Sequence, residues 1–422
     1  MCGRPVGEGA AGLITVVGAG TGGGAPVVAD AELVVGAARH LAAAQLPSGV
    51  RQVALGAVGP ALDVIEEYVA GGRRVTVLAS GDPGHFGIVR ALGARFGAAA
   101  LRVTPSVGSV AATFARVGLS WDDAVVVSAH GREARTAVNV CLAHPKAAVL
   151  TGPGAGPAEL GAALVRAGAE RLLVVASGLG SAAESVLAVS PREAAGREWG
   201  AAVNVVLCLR PGLPVGPAVA VAGPPAAPAG WALPEEAFAH RDSMISKFEV
   251  RALALARLGP RTGELVWDVG AGSGSVAVEC ARFGAAAVAV DASPEAVARV
   301  RANAASHGVD VLAVLGRAPG VLAELPTPDA VFVGGGGAEV AAVVAACARR
   351  ARRSVVVTLA AVDRVPAVRS ALAAAGFTPE GVLLQSSRLA PLPGDVTRLA
   401  AANPVFVLWA CRPGPPDEGV LA

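Results

Sequence analysis

Residues Gly270-Ala271-Gly272-Ser273-Gly274 follow the apolar run Leu265–Val269 and open a helical pattern, Ser275–Phe283. Alternate glycines permit a tight turn and let a ligand approach the backbone, while a helix amino terminus offers unpaired N–H groups. Asp291 comes twenty-one residues after Gly270, at the end of the next apolar run, Ala287–Val290. A carboxylate there can accept both hydroxyls of a ribose. The chemistry indicated is binding of a nucleoside-bearing cofactor, either a dinucleotide or S-adenosylmethionine. The dinucleotide fingerprint G-x-G-x-x-G asks for Gly or Ala where this chain has Ser275.

A second cluster, Gly18-Ala19-Gly20-Thr21-Gly22-Gly23, satisfies that fingerprint literally. The next apolar run begins near Leu33, too soon for the crossover helix of a Rossmann unit, and no acidic residue closes a second strand at the required distance. The literal match is therefore misleading. The six cysteines (Cys2, Cys141, Cys208, Cys280, Cys347, Cys411) have no C-x-x-C spacing and read as small buried hydrophobes, so no metal is expected.

The elements that position these residues fall into two long stretches. The first carries the apolar runs Leu13–Val17, Leu33–Val35, Val75–Ala79, Ala124–Ser128, Ala147–Leu150, Leu172–Ala176 and Val203–Leu209. The second carries Leu265–Val269, Ala287–Val290, Val311–Leu315, Ala330–Val333, Ser354–Leu359 and Val405–Trp409. Runs without polar alternation suit strands covered on both faces, so the pattern predicts parallel sheets in an α/β protein. Domains are expected at 12–210 and 235–411, joined by a semi-extended Pro/Ala/Gly linker, 211–234, with a frayed tail from Arg412.

A chain of 422 residues that is 53% hydrophobic and 16% charged is no disordered polymer. A net charge of +2 is too balanced for a nucleic-acid or membrane coat. The longest uncharged stretch, Pro211–Pro234, contains seven prolines, which excludes a continuous spanning helix there. With no signal-peptide pattern, the expectation is a cytoplasmic protein without nucleic-acid or membrane partners.

The Val-Trp-Asp-Val-Gly-Ala-Gly-Ser-Gly loop resembles the first motif of class I methyltransferases. Met244–Arg251, Gly316-Arg317-Ala318-Pro319, the run from Pro328 to Gly337, and Asn403-Pro404-Val405-Phe406 extend the likeness to a precorrin methyltransferase family of the cobalamin pathway. Members of that family methylate carbon 15 and decarboxylate the ring-C acetate. The resemblance implies S-adenosylmethionine contacts from Ser246, Gly270, Ala271, Gly272, Ser273, Gly274, Asp291 and Ala318. Arg241, Lys247 and Arg317 would lie near substrate carboxylates. The Asn403-Pro404 pair is taken as structural, because it lies in the last strand.

In the first stretch, Val35–Leu41, Ala79-Ser80-Gly81-Asp82-Pro83-Gly84, Thr104–Ala111, Val127–Arg132 and Gly178-Leu179-Gly180 are similar to the two-lobed tetrapyrrole methylases, class III, and within them to the carbon-5 methylases. The likeness implies cofactor contacts from Gly18, Gly20, Ser80, Gly81, Asp82 and Ser109, with Arg132 near the substrate. Gly22–Asp30 is shorter than that family's usual first helix. Together the halves imply one S-adenosylmethionine per domain and conversion of precorrin-6Y to precorrin-8 in a homo-oligomer. A cobalt-containing substrate is the alternative, and an RNA methyltransferase a less favoured one.

Overall fold

The computed structural model describes residues 14–21, 25–200, 204–212, 222–223, 232–241 and 245–412. Most of the expected linker, the start of the first domain, Gly22-Gly23, Cys2 and the tail beyond Arg412 therefore lie outside the described residues. The first lobe contains β1 (Ile14–Ala19), β2 (Leu33–Gly36), α1 (Ala38–Ala43), β3 (Arg51–Ala54), α2 (Val58–Ala70), β4 (Val75–Ser80), α3 (Val89–Phe96) and β5 (Leu101–Thr104). Its sheet, β3-β2-β4-β1-β5, is parallel throughout. No helix separates β1 from β2 among the described residues, as the short spacing requires.

The second lobe contains α4 (Ser109–Arg116), β6 (Val125–Ser128), α5 (Ala134–Ala143), β7 (Lys146–Leu150), α6 (Pro157–Arg166), β8 (Leu172–Ser177), β9 (Ser185–Val189), α7 (Pro191–Ala195) and β10 (Asn204–Leu209). Here the expectation of a parallel sheet fails. In β6-β7-β10-β8-β9 only β6 and β7 are parallel, and β10 runs antiparallel between β7 and β8. Burial on both faces makes a strand apolar whichever way it runs, so continuous apolar runs do not report direction.

The C-terminal domain contains α8 (Phe248–Leu258), β11 (Leu265–Val269), α9 (Ser275–Arg282), β12 (Ala286–Asp291), α10 (Pro294–Ser306), β13 (Leu312–Leu315), β14 (Ala330–Val333), α11 (Val340–Arg350), β15 (Ser354–Leu359), α12 (Val365–Ala374), β16 (Thr378–Leu384), β17 (Ser387–Leu392), β18 (Val396–Ala401) and β19 (Val405–Cys411). Its sheet, β13-β12-β11-β14-β15-β19-β16, is parallel from β13 to β15, with β19 inserted antiparallel, and β17-β18 form a separate hairpin. Successive strand side chains point to opposite faces. Leu265, Trp267 and Val269 accordingly pack under α11 and α12, and Val266 packs under α8 and α9. Cys141, Cys208, Cys280 and Cys347 are buried as expected, whereas Cys411 is exposed at the end of β19.

The two domains touch. Helix α5 lies across the amino-terminal edge of the β13–β15 sheet. Arg135 makes a two-pronged ion pair with Asp329, both contacts 2.6 Å, and Asn139 donates to the Gly263 carbonyl at 3.0 Å. Arg171 donates to the carbonyls of Cys141 and Leu142 and to Asp310, each at 2.8 Å, and Arg210 reaches the same carboxylate at 2.9 Å. Leu142 and Ala143 pack against the Trp267 core. A cavity of about 310 Å³ remains in this seam, bounded by Arg171, Arg210, Asp310 and Ala287.

Candidate active site

The carboxyl ends of β11, β12, β13 and β14 open into a cleft of about 1020 Å³. The glycine loop folds as its residue types demand. Gly270 has φ +74°, and a Cβ on it would stand 2.8 Å from the Gly335 backbone, so the loops after β11 and β14 touch main chain to main chain. Gly272, at φ +57°, has nothing within 4 Å of the place a Cβ would occupy, which leaves room for a ligand against the backbone. Asp291 accepts from Gly272 N through one oxygen and from Ser293 N through the other, both at 2.9 Å. That carboxylate therefore fixes the loop while still facing the cleft.

Asp268, 1% exposed, accepts from Ala277 N at 3.0 Å. Burial, then the negative charge of Asp291, pushes its carboxyl up to about 7. Asp268 also lines the cleft, so two carboxyl groups meet there. Such a site suits a ligand that carries a nucleoside and positive charge, which is the description of S-adenosylmethionine.

The structure places Ser246, Lys247, Gly270, Ala271, Gly272, Ser273, Asp291, Arg317 and Ala318 together in the cleft wall. Gly274 stands behind that wall, where a Cβ would meet Val300 at 2.8 Å; its absence serves packing of α9 on α10. Arg241 is exposed outside the cleft lining, in the electrostatic field of Glu295. Arg317 is exposed at the rim, 3.8 Å from Glu339.

Two participants were not legible in advance. Asn403, read from the sequence as structural, lines the cleft beside Ala402 and Val405. It lies just before β19, and the Gly loops of β14 bring the cleft to it. Arg251, fully buried beside Glu279, donates to the carbonyl of Ser246 at 2.7 Å and to that of Leu233, and so holds the segment bearing Ser246 and Lys247. An arginine within the otherwise apolar face of α8 was the available signal.

In the N-terminal domain the named residues also converge. A Cβ on Gly18 would stand 2.1 Å from the Gly81 carbonyl and 2.5 Å from Ser106 N, so only glycine lets the ends of β1, β4 and β5 close. Gly20 takes φ +94° against the His40 ring, and Gly180 of the second lobe approaches its carbonyl. Ser80 is bonded by Arg39 at 2.7 Å and His40 at 2.8 Å. Burial, then the Arg39 charge, lowers the His40 pKa and favours the neutral ring. Asp82 accepts from Gly84 N at 2.8 Å, and Ser109 opens α4. Arg132 is exposed on the loop after β6.

Comparison with known proteins follows the same division. The family of tetrapyrrole (corrin/porphyrin) methylases matches residues 5–195, and the precorrin methyltransferase domain matches residues 236–412. A precorrin-6Y C(5,15)-methyltransferase [decarboxylating] of Sinorhizobium is 38% identical over 76% of this chain and 78% of its own. A probable cobalt-precorrin-6B C(15)-methyltransferase (decarboxylating) of Pyrobaculum calidifontis is 37% identical over 42% of this chain and 94% of its own. A cobalt-precorrin-7 C(5)-methyltransferase of Salmonella typhimurium is 33% identical over 40% of this chain and 85% of its own.

Proposed function

The chain belongs to the precorrin-6Y C(5,15)-methyltransferase (decarboxylating) family of cobalamin biosynthesis, and from that premise we propose how its two halves divide the work. It is an S-adenosylmethionine-dependent transferase acting on a precorrin. Residues 12–210 methylate carbon 5, residues 235–411 methylate carbon 15 and release the ring-C carboxyl as carbon dioxide, and 211–234 join them. Each domain takes one S-adenosylmethionine, without a metal, and precorrin-8 is the product. The observation that carries the C-terminal assignment is the meeting of Gly272, Asp291 and Asp268 in one large cleft.

When bound, S-adenosylmethionine supplies an electrophilic methyl group; the ring carbon is the nucleophile. The protein's part is to bind and orient. Asp291 holds the ribose hydroxyls, and the loop Gly270–Ser273 presents its N–H groups. Ionised Asp268 faces the positive charge, while Lys247 and Arg317 attract substrate carboxylates. In the N-terminal domain Gly18, Gly20, Ser80, Gly81, Asp82 and Ser109 bind the cofactor, and Arg132 the macrocycle. Gly274 serves packing of α9 on α10 in place of the expected cofactor contact, and Arg241, outside the cleft lining, is given no substrate contact.

The partners are the tetrapyrrole and further copies of the chain in the cytoplasm, with no nucleic acid. The exposed leucines Leu389 and Leu399 of the β17–β18 hairpin support self-association. A cobalt-containing substrate is the second reading, favoured by the names of the two half-length relatives.

The decisive measurement is a mass spectrum of the product from metal-free and cobalt-containing substrates offered separately. Gain of two methyls and loss of carbon dioxide is expected, with calorimetry giving two cofactor sites per chain. One site per chain, or retention of the carboxyl, overturns the assignment.

A further inference from the structure

The seam between the domains and the C-terminal cleft lie at opposite ends of the same strands. Arg135, Asn139, Arg171 and Arg210 meet Asp329, Gly263 and Asp310, all immediately before β14, β11 and β13. The cleft is at the other end, where Gly270, Asp291, Gly316 and Gly334 follow those strands and β12. A five-residue strand such as β11 spans about 16 Å, and its side chains are close-packed between helices on both faces.

Every described residue lining the cleft falls between Ile245 and Val405, so the N-terminal domain contributes no wall to it. The seam cavity shares no lining residue with the cleft. The N-terminal site residues are contacted by their own domain, Gly180 of the second lobe against Gly20 and Ser106 against Gly81 within the first. A tetrapyrrole is far wider than any gap in a packed sheet.

We infer that the macrocycle passes between the two sites through solvent: it leaves the chain after the first methylation and rebinds for the second. This rests on the reading that each domain adds one methyl. The molecule released is a singly methylated tetrapyrrole polycarboxylate, and it meets Lys247 and Arg317 at a mouth on the side of the sheet remote from the seam.

Isotope dilution on the full-length chain tests this. The pool of singly methylated compound is made with two full-length variants, Gly272→Arg in the C-terminal loop and Gly18→Val in the N-terminal one. Whichever yields a one-methyl product from the starting precorrin supplies the pool. The wild-type chain then receives the starting precorrin, methyl-labelled S-adenosylmethionine and a large excess of unlabelled pool.

Passage through solvent predicts that, as the pool rises, doubly labelled product per starting precorrin consumed falls towards zero, while singly labelled intermediate appears in an ultrafiltrate. Doubly labelled product that stays equal to the starting precorrin consumed at saturating pool, with no labelled intermediate in the ultrafiltrate, overturns the inference while leaving the two activities intact. If neither variant yields a one-methyl product although the wild type adds two, the sites act as a unit, and the inference falls with the division of labour. Failure of the wild type to add two methyls without any pool marks failure of the functional reading itself.

Discussion

At the scale of single residues, the site is held by carboxylates with two tasks each. Asp291 anchors Gly272 N and Ser293 N besides facing the cleft. Asp291→Ala should weaken S-adenosylmethionine at the C-terminal site roughly tenfold to a hundredfold, the scale of losing a hydrogen bond to a charged group. Titration calorimetry reads that loss. Because the loop loses its own acceptor, the ligand-free melting temperature should fall as well; unaltered melting would mean that the loop does not depend on Asp291. Asp268 titrates near 7 in the folded chain against 3.8 for the ordinary carboxyl. The folded state thus retains a proton that the unfolded chain releases, so this group's stabilisation is full below pH 4 and declines as pH rises towards 7. A cationic ligand favours the ionised form, so binding should expel a proton between about pH 6 and 8. Calorimetry in buffers of different ionisation enthalpy detects that proton, and Asp268→Asn should abolish it.

At the scale of elements, legibility followed burial. The strands that were expected, such as β4, β8, β11 and β15, are mostly buried apolar runs. Those that were not, β3, β5, β9 and β16, lie at sheet margins, mostly solvent-facing in β3, β5 and β16 and half-buried in β9, and β17 and β18 form an exposed hairpin. A margin strand pairs through its backbone on one side only and needs no continuous apolar signal. The glycine loop and Asp291 were legible because the turn and its acceptor have fixed spacing. Asn403 and Arg251 were not, because tertiary packing alone brings Asn403 to the cleft and Arg251 to the Ser246 carbonyl behind it. The hairpin is tethered by Arg388, which bonds Glu235 and Glu249, each at 2.8 Å at its nearest contact. Burial raises the Glu235 pKa, but the Arg388 hydrogen bonds and neighbouring N–H groups outweigh it and hold the carboxyl at about 2. That contribution is present above pH 4.5 and is lost as pH falls towards 2. Arg388→Ala should therefore release the hairpin: deuterium uptake over residues 387–401 should rise at neutral pH, with α9 and β11 unchanged. Equal uptake in both chains would locate the tether elsewhere.

At the scale of the whole molecule, the domains are docked, beyond being joined by 211–234. Arg135 is partly exposed at the start of α5, and both its terminal nitrogens bond Asp329, which is 5% exposed. Arg135→Ala leaves that carboxylate with Leu265 N and a distant Arg352. The coupling between domains should fall by roughly 2–5 kcal/mol, the range for truncating one partner of a desolvated charge pair. Differential scanning calorimetry on the full chain should then show two separating transitions where the wild type shows a more unified one, with Arg135→Lys intermediate. Superimposable traces would mean that the seam carries no coupling. The seam also bears on how such a gene can be arranged. Since the docking contacts come from helix α5, Arg171 and Arg210 on one side and the amino edge of the C-terminal sheet on the other, a stop codon and a fresh start codon placed between the codons for 213 and 231 should still yield two polypeptides able to find each other in the cell, so fused and divided forms of the gene would encode the same assembly.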